Sequence, residues 1–251
     1  MWINLETFVT RHQSPVGARW PLIDSGGAVC YSPEADLVAG LVVGAIGIDA
    51  FRRVDDRRDM ALAAVPIVLA AHQLIEAVAW RGLQDRAPEA AGDLAVGAYL
   101  VIALGIVPIL VPFAVLRTER DSRRRAAMIP LMLLGVGVSF VLLLSLVIAP
   151  YGASIGGRYI AYEVSVLGPG LTGAAYAIAV CAPLLLSSHR RLVVFGFANV
   201  PVVAALSLLL STGLISLWCV WAAVSSLVVA RHVRDQSPAS VGRGFAVTDY
   251  G

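Results

Sequence analysis

Long apolar stretches separated by short polar connections make up most of this 251-residue chain. A helix needs roughly 20 apolar residues to cross about 30 Å of hydrocarbon. Seven stretches come close to that length, and the first and fifth are short. They span residues 35–51, 60–80, 94–116, 126–149, 171–188, 192–211 and 213–230. The pattern therefore predicts an all-α membrane protein, a bundle of seven transmembrane helices.

The arginines predict how this bundle is oriented. Clusters of them follow the first, third, fifth and seventh stretches, whereas the alternate connections carry only Arg81, Arg86 and Arg158. Arginine-rich connections stay in the cytoplasm. We therefore expect the N-terminus outside, the C-terminus in the cytoplasm, and a location in the bacterial cytoplasmic membrane. Residues 1–29 are predicted to form a loose leader, 30–233 the membrane domain, and 234–251 a disordered cytoplasmic tail.

Composition narrows the class of protein. Charged residues make up 14% of the chain, against about 25% in an average soluble protein. All 19 basic residues are arginine, which excludes a retinal Schiff base and amine-based covalent catalysis, since both need a lysine. The net charge of +2 is too small, and the arginines too scattered, for nucleic-acid binding.

One polar stripe interrupts the second stretch. His72, Gln73, Glu76 and Trp80 are spaced three and four residues apart, so they share one face of a helix. With Trp80 at the outer interface, the stripe would occupy the outer half of the bilayer. An ionisable group there costs about 2.5–3.5 kcal/mol and is usually functional. Burial favours an uncharged carboxyl group, so Glu76 is a candidate proton donor. The alternative is a hydrogen-bonded clamp between helices.

A second polar segment precedes the fifth stretch. Tyr159, Tyr162 and Glu163 would share a helical face just before the helix-breaking sequence 168–170. We expect an interfacial or re-entrant piece lining a cavity, or else an amphipathic interface helix with tyrosine anchors. The segment lies on the same predicted side as Glu76, so Glu163 is a candidate second acid. Cys30, Glu34 and Asp36 lie on that side too.

Metal and cofactor chemistry is not expected. His72 and Glu76 supply two metal ligands at most, whereas a catalytic zinc needs three. Nucleotide-binding and serine-hydrolase motifs are absent from the sequence. We therefore predict a site that holds neither a metal ion nor a cofactor.

Several short sequences resemble an uncharacterised family of small bacterial membrane proteins with seven helices, mainly from actinomycetes. They are Cys30-Tyr31-Ser32, His72-Gln73-Leu74-Ile75-Glu76-Ala77 with Trp80, Leu184 to Ser188, and Ser216-Leu217-Trp218-Cys219. Members of that family begin Met-Cys-Phe/Tyr-Ser. The resemblance implies that translation starts at Val29, on a GTG codon, as an alternative to a translated leader.

The chain is also similar, in size and helix count, to the membrane-bound terpene cyclases of actinomycete and fungal meroterpenoid pathways. Those enzymes use intramembrane carboxylic acids to protonate an alkene or epoxide of a prenylated substrate. The resemblance implies that Glu76 is the acid and that His72 and Gln73 set its proton state. Aromatic rings would stabilise carbocations through their π faces: Trp80, Tyr159, Tyr162 and Trp218. The second acid that the fungal enzymes have in their last helices is missing here.

Two other functions stay open. His72 and Glu76 would relay protons or bind a ligand in a proton-coupled transporter or a ligand-sensing membrane protein without catalytic activity. The absence of an internal repeat counts against a pump with duplicated halves. In a structural subunit, the third possibility, the stripe would hold helices together through hydrogen bonds. The predicted partners are membrane lipid and, for the enzyme, a lipid-soluble prenylated molecule.

Overall fold

The computed structural model describes residues 32–156, 160–209 and 216–236, and within them the chain is mostly helical. The helices are α1 (Pro33–Arg52), α2 (Met60–Leu83), α3 (Glu89–Leu100), α4 (Val107–Thr118), α5 (Ser122–Ile148), α6 (Pro169–Leu186), α7 (Arg190–Leu209) and α8 (Ser216–Gln236). A π-helical segment, Val101–Ile106, joins α3 to α4 without a break. Counting α3 to α4 as one, these helices match the seven predicted stretches. The side chains of residues 203–220, 222 and 236 are outside the description.

Four of the described helices are long and apolar enough to cross a membrane. They are Met60–Leu83, Glu89–Thr118, Ser122–Ile148 and Pro169–Leu186. This finding confirms the expectation of a helical protein with several helices that are long and apolar enough to span a membrane. The crossing of all seven helices and the orientation of the termini stay predictions. The expected leader and most of the expected tail lie outside the described residues.

Residues 151–164 correct the purely helical prediction. They contain an antiparallel hairpin of β1 (Tyr151–Ile155) and β2 (Ile160–Val164), with Tyr151 opposite Val164 and Ile155 opposite Ile160. Ile160 is buried in an apolar cluster with residues of α2 and α3, and Tyr162 and Val164 pack against that cluster. Alternate residues of a strand point to one face, and bulky β-branched and aromatic side chains favour strands. The helical face proposed for Tyr162 and Glu163 was therefore wrong.

The arginine-rich connections meet at one end of the bundle, which we call the arginine-rich end. There Asp49 pairs with Arg53 at 2.8 Å and with Arg234 at 2.6 Å. Arg120 lies 3.5 Å from Asp56, and Arg191 pairs with Asp235. Exposed pairs of this kind each stabilise a fold by about 0–1 kcal/mol. Their common position agrees with the clustering of arginines seen along the sequence.

The hairpin and the connection between α2 and α3 lie at the opposite end, which we call the hairpin end. Gly82 of α2 and Gly92 of α3 touch there through their backbones. A side chain at either position would collide with the other helix, so glycine permits this close approach. The approach brings α3, and with it Tyr99, against the polar face of α2.

Candidate functional site

The polar stripe of α2 is buried inside the bundle. The exposed fractions are 2% for His72, 0% for Gln73 and 4% for Glu76. Trp80 is 5% exposed and packs on Ala95 and neighbouring residues of α3. Trp80 is therefore packed between helices, and its expected position at the outer interface stays a prediction. The stripe faces protein, so any chemistry at Glu76 takes place away from bulk water and from lipid.

Three stacked rings join α2, α3 and the hairpin. The His72 ring lies 3.9 Å from that of Tyr99, with an angle of 29° between the planes. Tyr99 in turn stacks on Tyr162 at 4.2 Å and 7°. The sequence interpretation selected His72 and Tyr162 and missed Tyr99. A tyrosine in an apolar span was the available signal, because its hydroxyl needs a partner when buried.

Some buried polar atoms of the site have no hydrogen-bond partner among the described residues. They are both ring nitrogens of His72 and one carboxyl oxygen, Oε2, of Glu76. Buried polar groups in proteins are paired in the large majority of cases. These buried His72 and Glu76 atoms could therefore form hydrogen bonds with a polar group of a ligand, or give and accept a proton.

Asp36 of α1 joins this site from a second helix. Its side chain is 3% exposed, and α1 packs closely on α2, with Gly40 beside Leu74. The sequence indicated only that Asp36 lies on the same side of the membrane as Glu76. Packing of α1 on α2 places the two carboxyl groups in one buried region.

The π-helical segment begins two residues after Tyr99. Pro108 follows it and has no N–H with which to continue the regular ladder. Two carbonyl groups of the widened turn accept side-chain hydrogen bonds: Ala103 from the Tyr176 hydroxyl at 2.9 Å, and Gly105 from the Ser139 hydroxyl at 2.8 Å. Insertions of this kind are frequent at functional sites. Here the segment ties the helix that carries Tyr99 to α5 and α6.

An apolar cavity of about 70 Å³ lies between α2, α4, α6, α7 and α8. Its lining from α2 includes Val65, Val68 and Leu69. These residues precede His72 and Gln73 by three to eight positions on the same helix face. The cavity therefore continues the polar stripe towards the arginine-rich end, and one face of α2 carries polar groups and then an apolar chamber.

The polar edge of this cavity is formed by a hydrogen-bonded chain across α6, α7 and α8. Trp221 donates its ring N–H to Asn199 Oδ1 at 2.7 Å, and Asn199 Nδ2 donates to the Cys181 sulfur at 3.3 Å. Phe195 stacks on Trp221 with ring centroids 5.5 Å apart. Their hydrogen-bonding groups are paired with one another, so this edge offers aromatic surface rather than open polar sites.

The structure brings together most, but not all, of the predicted site residues. His72, Gln73, Glu76, Trp80 and Tyr162 lie in the same buried region. Glu163 is exposed, because it alternates with Tyr162 along β2 and points to the opposite face. Tyr159 and the side chain of Trp218 lie outside the described residues. Among the residues that are described, no three His, Cys, Asp or Glu side chains are grouped as metal ligands.

Comparison with known families places this chain in one of them. A family of unknown function (DUF6629) matches residues 29–243. The chain belongs to this family. This confirms the expectation of an uncharacterised family, and the match includes the α2 stripe and every described helix. None of the curated proteins and none of the solved structures compared with the chain matches it.

Proposed function

We propose that this protein is an integral membrane terpene cyclase of the bacterial cytoplasmic membrane, acting on a polyprenyl or prenylated lipid-soluble substrate. The observation that carries the proposal is the setting of Glu76. Its carboxyl group is buried, its Oε2 has no hydrogen-bond partner among the described residues, and it lies on the helix face that continues into an apolar cavity. An acid placed among aromatic rings and away from water suits protonation of an alkene or epoxide.

The proposed reaction needs no cofactor, because it begins and ends with one proton. The Glu76 carboxyl transfers its proton to a terminal alkene carbon or to an epoxide oxygen of the substrate. The resulting carbocation is attacked by an internal double bond, which forms the ring. Loss of a proton from a carbon next to the final cation gives the product and restores the acid. The Glu76 carboxylate accepts that proton, either directly or through a ring nitrogen of His72 that passes it on.

The aromatic stack has a second role in this proposal. The π faces of tyrosine rings attract cations by about 0.5–2 kcal/mol, most strongly where water is excluded. Tyr99 and Tyr162 lie beside His72 and bound the region of Glu76. They would stabilise a cation formed there without acting as nucleophiles. Trp80 closes the same region from α2.

The cavity supports an amphipathic substrate. Polar groups of the molecule would meet His72, Gln73 and Glu76, and part of its hydrocarbon chain would enter the space beyond Val68 and Leu69. Burying each methylene of such a chain contributes about 0.8 kcal/mol relative to water. The arrangement of one helix face thus favours a prenylated molecule over a small hydrophilic one.

Replacing Glu76 by glutamine tests the catalytic role. Purified protein in nanodiscs is incubated with farnesylated and geranylgeranylated phenols and their epoxides, and products are separated by chromatography and mass spectrometry. We expect cyclised product from the wild type and a fall of about 10²–10⁴-fold in the variant, the usual contribution of a general acid. Glu163→Gln is the control, because that side chain is exposed. Equal turnover in both variants, or no turnover by the wild type with any substrate, would contradict the proposal.

Filling the cavity tests the place of the hydrocarbon chain. Val68→Phe puts a larger side chain into the apolar chamber one turn from His72, so we expect KM for long prenyl chains to rise about tenfold, while shorter chains are affected less. About 1.4 kcal/mol of lost binding corresponds to that factor. The matched control is Val78→Phe on the same helix, where Val78 is 42% exposed. A similar KM for both variants would place the chain elsewhere.

A proton-coupled transporter or a ligand sensor is the second candidate. The observation that favours it is the stack of His72, Tyr99 and Tyr162, which connects the buried histidine with the hairpin. Proton uptake into proteoliposomes that is lost in Glu76→Gln, without turnover of prenylated compounds, would support this function in place of the cyclase.

A further inference from the structure

The packing of α1 on α2 determines which residues of the two helices lie level. A Cβ atom added at Gly47 would lie 3.0 Å from Ile67, one at Gly44 would lie 3.4 Å from Ala70, and one at Gly40 would lie 2.8 Å from Leu74. The residue numbers fall along α1 by the same amount as they rise along α2, so the two helices pack as an antiparallel pair. One more turn brings Asp36 level with residues 77 and 78, within one helical turn of Glu76.

Burial singles out the same two residues. Asp36 is 3% exposed and Glu76 is 4% exposed, whereas Glu34, two residues before Asp36, is exposed. Two carboxylates that lie close together away from water repel each other strongly, so such pairs commonly hold one proton between them.

The neighbouring groups add a second indication of a site. His72 lies one turn from Glu76 on the same helix face, is 2% exposed, and has two ring nitrogens without a partner in the described part of the chain. Tyr99 of α3 stacks on the His72 ring, and Tyr162 of β2 stacks on Tyr99. Among the described residues of the hairpin end, the two arginines Arg81 and Arg86 are exposed.

We propose that Asp36 and Glu76 form a carboxyl pair that holds a single proton, with Asp36 as the second acid of the site. In the wild type the Asp36 carboxylate keeps the proton on Glu76 in position, and Glu76 delivers it. Asp36 is thus a positioning residue supplied by α1. Its use in cyclisation rests on the proposed function, but the shared proton does not, since it follows from the packing of α1 on α2.

Infrared spectroscopy in nanodiscs tests the pair without any substrate. The signal is the C=O absorption of a protonated carboxyl group, recorded near neutral pH for the wild type, Asp36→Asn, Glu76→Gln and the double variant. We expect one such band in the wild type, a shifted band in Asp36→Asn, and loss of the band in the double variant. Glu34→Gln, two residues away and exposed, should leave it unchanged. Circular dichroism confirms that each variant is folded.

An unshifted band in Asp36→Asn would overturn the pair, and so would a wild type without any band. Kinetics separate this result from the proposed function. If a prenylated substrate is turned over, Asp36→Asn should lower kcat by about tenfold or more with little change in KM, as expected for a residue that acts on the proton rather than on substrate binding. If no substrate is turned over, the infrared result still decides whether the pair exists.

Discussion

Replacing Gly135 by alanine is expected to destabilise the protein more than any other small substitution in α5. A Cβ atom at this position would overlap with the carbonyl oxygen of Pro108 and would lie 3.2 Å from Pro112. Backbone atoms cannot turn aside as a flexible side chain can, so α5 must move away from α4. Overpacking of this kind costs about 1–3 kcal/mol, and more where backbone is involved. We expect a clearly lower Tm in detergent, followed by fluorescence-detected size exclusion after heating.

Gly137, two residues further along the same helix, is the matched control. A Cβ atom there would meet nothing within 4 Å, and alanine favours a helix over glycine by about 1 kcal/mol. Gly137→Ala should therefore leave the Tm unchanged or raise it. Similar melting of the two variants would show that α5 is not held against Pro108. Because Pro108 follows the π-helical segment, Gly135→Ala should also disturb Tyr99, which is measurable as lower turnover in any assay that depends on Glu76.

Glu119→Gln is the second change with a large expected effect, because one carboxylate organises two loops at the arginine-rich end. Glu119 is 0% exposed. It accepts hydrogen bonds from the backbone N–H groups of Arg120 and Asp121, both at 2.9 Å. It also accepts from the N–H of Ser188 at 2.6 Å and from its hydroxyl at 2.7 Å. The carboxylate thus joins the α4–α5 connection to the α6–α7 connection.

Burial and hydrogen bonding shift the pKa of the Glu119 carboxyl group in opposite directions. Burial alone would raise the pKa of Glu119, but the hydrogen bonds from Ser188, Asp121 and Arg120 outweigh it and hold the pKa below the ordinary value of 4.5. A group whose pKa is lowered by folding stabilises the fold above its unfolded pKa. That contribution is lost as the pH falls below 4.5 and through the pKa of the folded state.

Glutamine has the same shape as glutamate but carries no charge. Its NH₂ group would also face an N–H or O–H donor, with which it cannot form a hydrogen bond as an acceptor. Hydrogen bonds to a charged group are worth about 1.5–3 kcal/mol each, and a loss of about 2–4 kcal/mol is expected for the variant near neutral pH. The difference in Tm between wild type and variant should shrink as the pH falls below 4.5. Glu89→Gln, at an exposed position, is the control. A difference in Tm that stays constant with pH would contradict the role of the charge.

The sequence predicted the parts of this protein that depend on local pattern. Apolar length identified the helices, since the cost of exposing backbone polar groups in a bilayer forces spanning segments to be helical. The three- and four-residue spacing in α2 identified His72, Gln73 and Glu76 as one face, and the structure buries all three. The arginine clusters predicted which connections meet at one end.

Other parts of the site depended on contacts between distant segments. Tyr99 and Asp36 join Glu76 only because α3 and α1 pack on α2, and no local pattern specifies that approach. The hairpin escaped prediction because residues 151–164 carry too short a pattern to distinguish period two from a helical face. Its pairing then decided that Tyr162 faces the bundle and that Glu163 is exposed.

Local patterns and contacts between distant segments have different physical origins. Apolar length and residue spacing belong to each segment separately, so the sequence by itself determined the helices and the polar face of α2. The proposed site draws groups from α1, α2, α3 and β2, which are distant in the sequence. Their meeting is decided by side-chain shape, by close approaches such as that of Gly82 and Gly92, and by strand pairing, all of which exist only in the folded chain.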